Sequence, residues 1–194
     1  MTPVAPPNAK SAGKDSAWQT QAARYALLSE AVLLIAKTSE LEPLLKAVIG
    51  KMKWVIEFQR CSLALVNENE KTYAIRVLLE TRRGATKDGK PAVPLSEGIC
   101  GDTIGKRQVR VIENYVATRG ELPPPADEGL ADGSIDSILA IPLQAYGKVL
   151  GCLIFATELN GAFTSDDAKV ATSFCTHLGL AIDRWQKTQE LHGT

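Results

Sequence analysis

Two apolar runs separated by one short turn dominate the second half of the sequence. Residues 137–145 and 149–157 are rich in branched apolar side chains, and the only break between them falls at Tyr146-Gly147-Lys148. Apolar runs joined by a glycine-containing turn predict a β-hairpin with little of either strand exposed. The sequence therefore predicts that this hairpin lies at the centre of a sheet.

A long helical pattern follows the hairpin and predicts its cover. Thr164 or Ser165 can cap a helix, and Asp166 and Asp167 lie in its first turn, where carboxylates interact favourably with the helix dipole. The apolar residues then recur at helical spacing at Ala171, Phe174, Cys175, Leu178, Ala181, Ile182 and Trp185. We expect this helix to pack against the central hairpin.

The first half of the chain predicts two helices and a second hairpin. From Trp18 to Ile35 the apolar residues form two adjacent helical rows, which is more apolar surface than a single core contact requires. Ser39 to Glu42 has the form of a capping box and predicts the start of a second helix, which ends before Arg60. Residues 61–66 and 72–80 predict two antiparallel strands around a polar turn.

Smaller elements and loops connect these hairpins. The sequence predicts a short extended piece at 93–95, one or two turns of closely packed helix at 97–105 and a short strand at 108–112. Residues 115–134 contain three consecutive prolines and predict a long loop of the kind used in binding. We expect residues 1–16 to be a disordered lead-in and residues 17–190 to form a single domain.

Composition argues against several classes of protein. The 22 Lys and Arg equal the 22 Asp and Glu and form no long basic run, so we expect binding to neither nucleic acid nor a membrane. No apolar stretch approaches the length of a membrane span, and the N-terminus lacks the features of a secretory signal, so we expect a cytoplasmic protein. The four cysteines are scattered without zinc-ligand spacing, which indicates reduced, mostly structural thiols.

The order of these elements resembles that of a GAF domain, a sensory fold of phosphodiesterases, cyclases, phytochromes and bacterial regulators. The likeness runs from about Leu28 to Trp185 and is carried by residues 38–45, Arg60-Cys61-Ser62-Leu63, Glu97-Gly98-Ile99-Cys100-Gly101, 111–115, 138–143 with 147–151, and Phe163-Thr164. The resemblance implies an α+β fold with a five- to six-stranded antiparallel sheet. It places the N- and C-terminal helices on one face, and a small helix and loops over a pocket on the other.

The resemblance also implies a function. We expect a non-enzymatic sensor that binds a small molecule and signals as a homodimer through paired terminal helices to an output domain or a partner protein. A dimerisation or protein-interaction module without a ligand is the alternative. The residues that the resemblance places around the ligand are Ser62, Ile99, Cys100, Asp102, Thr103, Glu113 and Tyr115.

GAF domains share no single ligand, so the identity of the ligand stays unknown. Cys61-Ser62 and residues 98–101 resemble the pocket-lining segments of cyclic-nucleotide-binding members, but a further motif of that subgroup is matched only in part, at Asn160 and Phe163. A cyclic nucleotide is therefore one candidate. A bilin is not expected, because Cys175 and His177 lie on the final helix, which faces away from the pocket.

One segment of the chain is also similar to a segment of an enzyme family. Gly98-Ile99-Cys100-Gly101 is similar to a segment of free methionine-R-sulfoxide reductases, but residues 115–137 contain no cysteine to act as the nucleophile of that family, so we expect no such activity. Cys100 is a candidate redox-sensitive thiol at a helix N-terminus. Basic residues at 82–83, 87–90 and 106–107 are expected around the pocket, where they either attract an anionic ligand or form a solvated loop face.

Overall fold

The computed structural model describes residues 9–37, 40–67, 69, 71–83, 90–118, 121 and 134–192. Their elements are α1 (Ala9–Lys37), α2 (Leu41–Met52), β1 (Arg60–Asn67), β2 (Thr72–Glu80), β3 (Lys90–Pro94), α3 (Gly98–Lys106), β4 (Arg110–Ile112), α4 (Tyr115–Thr118), β5 (Ser137–Ala145), β6 (Lys148–Thr157) and α5 (Ser165–His192).

The strands form one six-stranded sheet in the order β3-β2-β1-β6-β5-β4. Every neighbouring pair is antiparallel, as expected. The predicted hairpin is β5–β6, and β6 lies between β1 and β5 with every residue after Lys148 buried. Its turn places Tyr146 at φ 49° and Gly147 at φ 80°, the left-handed conformation that a two-residue hairpin turn requires at both positions.

Three helices cover one face of the sheet, which we call the helical face. Side chains of α1, α2 and α5 form a continuous core there with the inward residues of β1, β5 and β6. Helix α5 lies very close to β5, since a Cβ atom at Gly179 would lie 2.4 Å from the Gln144 carbonyl oxygen. Glycine is therefore the residue that lets this helix reach the sheet.

Helix α3 covers the opposite face, which we call the α3 face, and packs against β5 and β6. The side chains of this second core come from β1, β2, β3, β4, β5, β6, α3, the start of α4 and Ile135. The two cores share the strands, whose residues alternate between them: Leu153 and Phe155 face the helices, and Cys152 and Ile154 face α3. The predicted arrangement of helices on both faces is confirmed.

A buried ion cluster joins the start of β1 to the end of β2. Glu80 accepts hydrogen bonds from Arg60 at 2.7 Å and from Arg82 at 2.8 Å, and all three side chains are at most 2 % exposed. Burial raises the pKa of Glu80, but the hydrogen bonds from Arg82 and Arg60 outweigh it and hold the pKa below its usual value. The Arg82 guanidinium also donates to the Ser134 hydroxyl, which ties the cluster to the segment before β5.

Several boundaries differ from the sequence expectations. Helix α1 begins at Ala9, before the expected start at Trp18, while residues 1–8 lie outside the described residues; the domain boundary at 16–17 stays a prediction. Ser39 of the expected capping box is also outside them, and the N-cap of α2 is Glu40. Thr164 does cap α5, since its hydroxyl accepts from the Asp167 N–H and Asp167 accepts from the Thr164 N–H.

None of the helices in the described ranges combines the length and apolarity needed to cross a bilayer.

Candidate functional site

The backbone of α3 is held tightly against the sheet edge. A Cβ atom at Gly101 would lie 2.5 Å from the Leu95 carbonyl oxygen and 3.6 Å from the Tyr73 ring. The first turn starts at Gly98, whose φ of 73° favours glycine. These two glycines explain why the segment predicted as closely packed helix is glycine-rich.

Five of the seven predicted ligand residues are buried on the α3 face of the sheet. Ile99, Cys100 and Thr103 lie on the buried side of α3, and Tyr115 begins α4 with its N–H donating to the Asp136 carbonyl. Ser62 shares the α3 face of β1 with Ala64, because Cys61 and Leu63 point to the helical face. All five residues are at most 4 % exposed.

Two hydroxyls in this layer have no hydrogen-bond partner. Among the described residues, nothing pairs with Ser62 Oγ or Thr103 Oγ1, although both atoms are fully buried. A buried hydroxyl without a partner costs about 1–3 kcal/mol relative to its hydrated state. Two such groups in one layer are therefore candidate contacts for a polar molecule that enters it.

The two predicted carboxylates lie elsewhere. Asp102 is held by ion pairs to Lys106 at 2.7 Å and Arg110 at 3.1 Å, so its charge is already matched on the flank of α3. The Glu113 side chain is exposed, and it is the Glu113 carbonyl that is engaged, by the Gly161 N–H and the Ser137 hydroxyl. The structure thus brings the apolar and hydroxyl candidates together without these carboxylates.

The cysteines divide between the two faces and form no disulfide in the described part of the chain. Cys61 and Cys175 belong to the helical core, where burial raises the pKa of both thiols well above the ordinary value. Cys100 and Cys152 belong to the core of the α3 face. Cys100 is in the first turn of α3 as expected but only 1 % exposed. Its redox sensitivity stays a prediction.

The basic residues expected around the pocket do not share one place. Arg82 was expected on a loop face and is instead buried in the ion cluster with Glu80, a pairing that sequence reasoning missed. Lys106 and Arg107 lie at the C-terminal end of α3, where Arg107 donates to the Gly147 carbonyl in the β5–β6 turn. The prediction for residues 87–89 lies outside the described residues.

Sequence reasoning also missed a groove of about 1180 Å³ on the helical side of the molecule. It runs between the start of α2, the end of α5 and strands β1 to β3, and Leu41, Leu63, Leu65 and Trp185 are among its lining. Its signal in the sequence is weak, because it forms between elements that are far apart in the chain. It is separate from the layer beneath α3.

Comparison with known proteins identifies the family of the fold. The family model described as "GAF domain" matches residues 38–183, more than half of the chain. In sequence, the chain is 27 % identical over 97 residues to Protein YtsP of Bacillus subtilis (strain 168). That match covers 48 % of this chain and 55 % of YtsP, so it spans about half the length of the relative.

Solved structures share the architecture at low identity. The GAF domain of a phosphoenolpyruvate-protein phosphotransferase from Coxiella burnetii superposes with a TM-score of 0.69 at 18 % identity, covering 86 % of this chain and 96 % of that one. Free methionine-R-sulfoxide reductase from Neisseria meningitidis, in complex with its substrate, gives 0.65 at 16 % identity, covering 85 % and 91 %. At these identities the likeness concerns the fold.

Proposed function

The chain belongs to the GAF domain family, a sensory and regulatory fold, and we propose that it is a non-enzymatic sensor that binds a small polar molecule between α3 and the sheet. The observation that carries the proposal is the pair of buried hydroxyls, Ser62 Oγ and Thr103 Oγ1, that lack partners in the described residues. A ligand with hydrogen-bonding groups at its edge would satisfy both. Ile99, Cys100 and Tyr115 would supply its apolar surroundings.

The chemistry of this layer favours a neutral or weakly charged ligand edge. Its described lining carries no unpaired charge: beside apolar side chains it has the hydroxyls of Ser62, Thr103 and two tyrosines, and the nearby Asp102 is already paired with Lys106 and Arg110. A charged group placed there would lose its hydration without an ion pair in return. Amides, hydroxyls and the edge of a heterocyclic base, including that of a cyclic nucleotide, fit this requirement.

Signalling would pass through the strands to the helices. Strands β5 and β6 carry α3 on one face and α5 on the other, so a ligand that tightens α3 against them acts on the same strands that support α5. Helices α1 and α5 contact each other, and α1 keeps Tyr25 and Leu33 more than half exposed. In the proposal these exposed residues pair with a second copy, and the ligand biases how the two copies pack.

Catalysis is not part of the proposal. The sulfoxide reductase shares the fold at 16 % identity, and this chain has no cysteine between residues 115 and 137, where the reductase family carries its nucleophile. Cys100, beneath α3, is 1 % exposed. An assay of free methionine sulfoxide reduction with wild type and Cys100→Ser should show no turnover in either protein.

A thermal-shift screen tests the ligand proposal. The full chain is heated with cyclic nucleotides, purines, amino acids and small carboxylates, and a ligand raises the melting temperature in proportion to its binding free energy. We expect at least one neutral or weakly charged compound to raise it. Because Thr103→Val and Ser62→Ala remove the proposed contacts, both variants should lose that shift.

The matched control is Thr157→Val, which removes a buried hydroxyl that already has partners outside this layer. It should keep the full ligand shift. If no compound shifts the melting temperature, or if Thr103→Val and Thr157→Val respond alike, the sensor proposal fails and the ligand-free interaction module takes its place.

A further inference from the structure

A second surface, at the opposite end of α3 from Gly98, combines an apolar cleft with a cationic border. The cleft has a volume of about 290 Å³ and lies between the end of α1, the middle of α5 and the β5–β6 turn. We call it the Tyr146 cleft; its lining includes Val32, Ile35, Ala36, Tyr146, Leu180 and Arg184. This volume suits one large apolar side chain of a partner.

Two residues at this surface adopt a backbone conformation that their side chains disfavour. Tyr146 occupies the first central position of the hairpin turn at φ 49°, where asparagine or glycine is preferred. Arg107 ends α3 at φ 56°, where glycine is preferred. Each costs on the order of 1 kcal/mol relative to glycine.

The described contacts of these two side chains do little to offset this conformational cost. Tyr146 is 82 % exposed, and Arg107 makes one exposed hydrogen bond of 3.3 Å to the Gly147 carbonyl. Unfavourable backbone conformations that persist without a matching gain in packing are typical of functional surfaces. Two such residues beside one cleft are the first of the observations on which the proposal below rests.

Basic side chains lie at the border of the cleft. Arg184 lines it and donates to the Ile35 carbonyl, and Lys187 lies 5.2 Å from the centre of the Tyr146 ring. Arg107 flanks the same turn through its hydrogen bond to the Gly147 carbonyl. Of the nearby carboxylates in the described residues, Asp183 is bound to Lys187 at 2.7 Å, and Glu190 lies about one turn beyond Lys187 on α5.

We propose that this surface docks an acidic segment of a partner protein that carries one large apolar side chain. The apolar side chain enters the Tyr146 cleft, and carboxylates on either side of it meet Arg107 and Arg184. In protein interfaces a buried apolar anchor supplies much of the binding energy, and complementary charge around it speeds association and selects the partner. This site lies outside the layer beneath α3 and does not depend on a ligand there.

The same observations disfavour nucleic acid as the occupant. Affinity for nucleic acid comes mainly from an extended positive field, whereas this chain has no net charge and only a local cationic border. A cleft sized for one aliphatic or aromatic side chain also has no counterpart in a phosphate backbone. Nucleic acid and a second copy of the chain are therefore alternatives that the experiment must exclude.

Fluorescence anisotropy with the full chain tests the proposal. The probe is a fluorescein-labelled nonapeptide with phenylalanine at its centre and four aspartates or glutamates on each side. We expect saturable binding that weakens as salt is added, and that weakens at least about tenfold when serine replaces the phenylalanine. A labelled single-stranded DNA of equal charge should bind more weakly. No saturable peptide binding, or equal binding of the DNA, would overturn the proposal.

Variants that relieve the left-handed backbone conformations distinguish a loss of peptide binding from a loss of folding. Tyr146→Asn and Arg107→Gly should each weaken peptide binding several-fold or more, while the melting temperature stays the same or rises, because both relieve a left-handed conformation. Lys71→Gly is the matched control, since Lys71 also has a positive φ of 51° but lies in the β1–β2 turn. It should leave peptide binding unchanged.

Unchanged binding in both cleft variants, or an equal loss in Lys71→Gly, would contradict the docking site. Peptide binding is also measured across protein concentrations alongside sedimentation. If binding is lost as the chain self-associates, and Tyr146→Asn abolishes that association, the occupant is a second copy and the proposal is wrong.

Discussion

The two faces of the sheet are built from different side chains. The buried residues of the helical face include nine leucines and four phenylalanines, such as Leu44, Leu153, Phe58 and Phe155. Within the described ranges, the buried core of the α3 face has neither type and consists of isoleucine, valine, alanine, cysteine and tyrosine. The same strands therefore serve one closely filled core and one core of branched and small side chains.

This difference in side chains suggests different roles for the two faces, with folding stability on the helical face and ligand binding on the α3 face. Phe58 and Phe155 pack with ring centroids 4.9 Å apart on the helical face, which is filled by large side chains of the fold itself. The α3 face combines mainly β-branched residues with two hydroxyls that nothing in the described residues satisfies. We infer that the helical face supplies most of the folding free energy. On the α3 face, the two buried hydroxyls without partners lower the stability, and a ligand that bonds to them can offset this cost.

The sharpest test of this contrast compares adjacent residues on one strand. Leu153 faces the helices and Ile154 faces α3, and both are almost fully buried. We expect Leu153→Ala to lower the free energy of unfolding by about 4 kcal/mol and Ile154→Ala by about 2 kcal/mol, because the proposed binding layer would relax around the smaller side chain. Urea titrations measure both. Equal losses, or a larger loss at Ile154, would remove the proposed difference between the faces.

The close approach of α5 to the sheet gives the next largest effect. Gly179→Ala places a Cβ atom 2.4 Å from the Gln144 carbonyl, so α5 must move away from β5 and we expect a loss of about 1–3 kcal/mol. Gly50→Ala is the matched control, because Gly50 is also within a helix but has open space around its Cα. It should stabilise the protein by about 1 kcal/mol. A tolerated Gly179→Ala would show that the helical face is looser than the contacts indicate.

The buried thiols of the helical face predict an alkaline loss of stability. Burial raises the pKa of Cys61 and Cys175, so the unfolded chain releases these protons at lower pH than the folded protein. Their contribution is complete below the ordinary thiol pKa and declines above it, by up to about 1.4 kcal/mol per pH unit for each thiol.

Urea titrations from pH 7 to 10 under reducing conditions measure this loss. The Cys61→Ala, Cys175→Ala double variant should show a shallower decline above pH 9 than wild type. Parallel declines in the two proteins would mean that these thiols do not stay protonated in the folded state.

The smallest effect concerns the hydroxyls themselves. In ligand-free protein, Thr103→Val should leave the free energy of unfolding unchanged or raise it by up to about 1 kcal/mol, since it replaces an unsatisfied hydroxyl by a methyl group. Thr157→Val should lower it by about 1 kcal/mol, because the Thr157 hydroxyl donates to Gln59 at 3.1 Å. Differential scanning calorimetry compares the two. A larger loss for Thr103→Val would reveal a satisfied hydroxyl and a closed layer.

Local sequence patterns predicted most of the fold. The two hairpins, α3, the Thr164 cap and the helical cover follow from periodicity and turn chemistry within short windows. The family resemblance then gave the order of the layers and the placement of Ser62, Ile99, Cys100, Thr103 and Tyr115. All five are buried on the α3 face, and their contact with a ligand stays a prediction.

Long-range electrostatics were not predictable in the same way. Arg82 follows β2 in a polar stretch, and only the β1–β2 pairing brings Arg60 to the buried Glu80 that Arg82 also contacts. Asp102 was assigned to the ligand, but its carboxylate is bound by a lysine one turn away and by Arg110 on the next strand. The pairings of Arg60 with Glu80 and of Arg110 with Asp102 depend on strand register and helix orientation, which a residue's immediate neighbours do not reveal, whereas those of Arg82 with Glu80 and of Lys106 with Asp102 are local.

The most direct test of the α3 face as a binding layer is a high-resolution crystal structure of the purified full chain, with and without a compound that raises its melting temperature. The account predicts electron density for a small molecule beneath α3, with polar atoms within hydrogen-bond distance of both Ser62 Oγ and Thr103 Oγ1. A layer closed by side chains in both crystals, with the two hydroxyls bonded to backbone carbonyls, would contradict it.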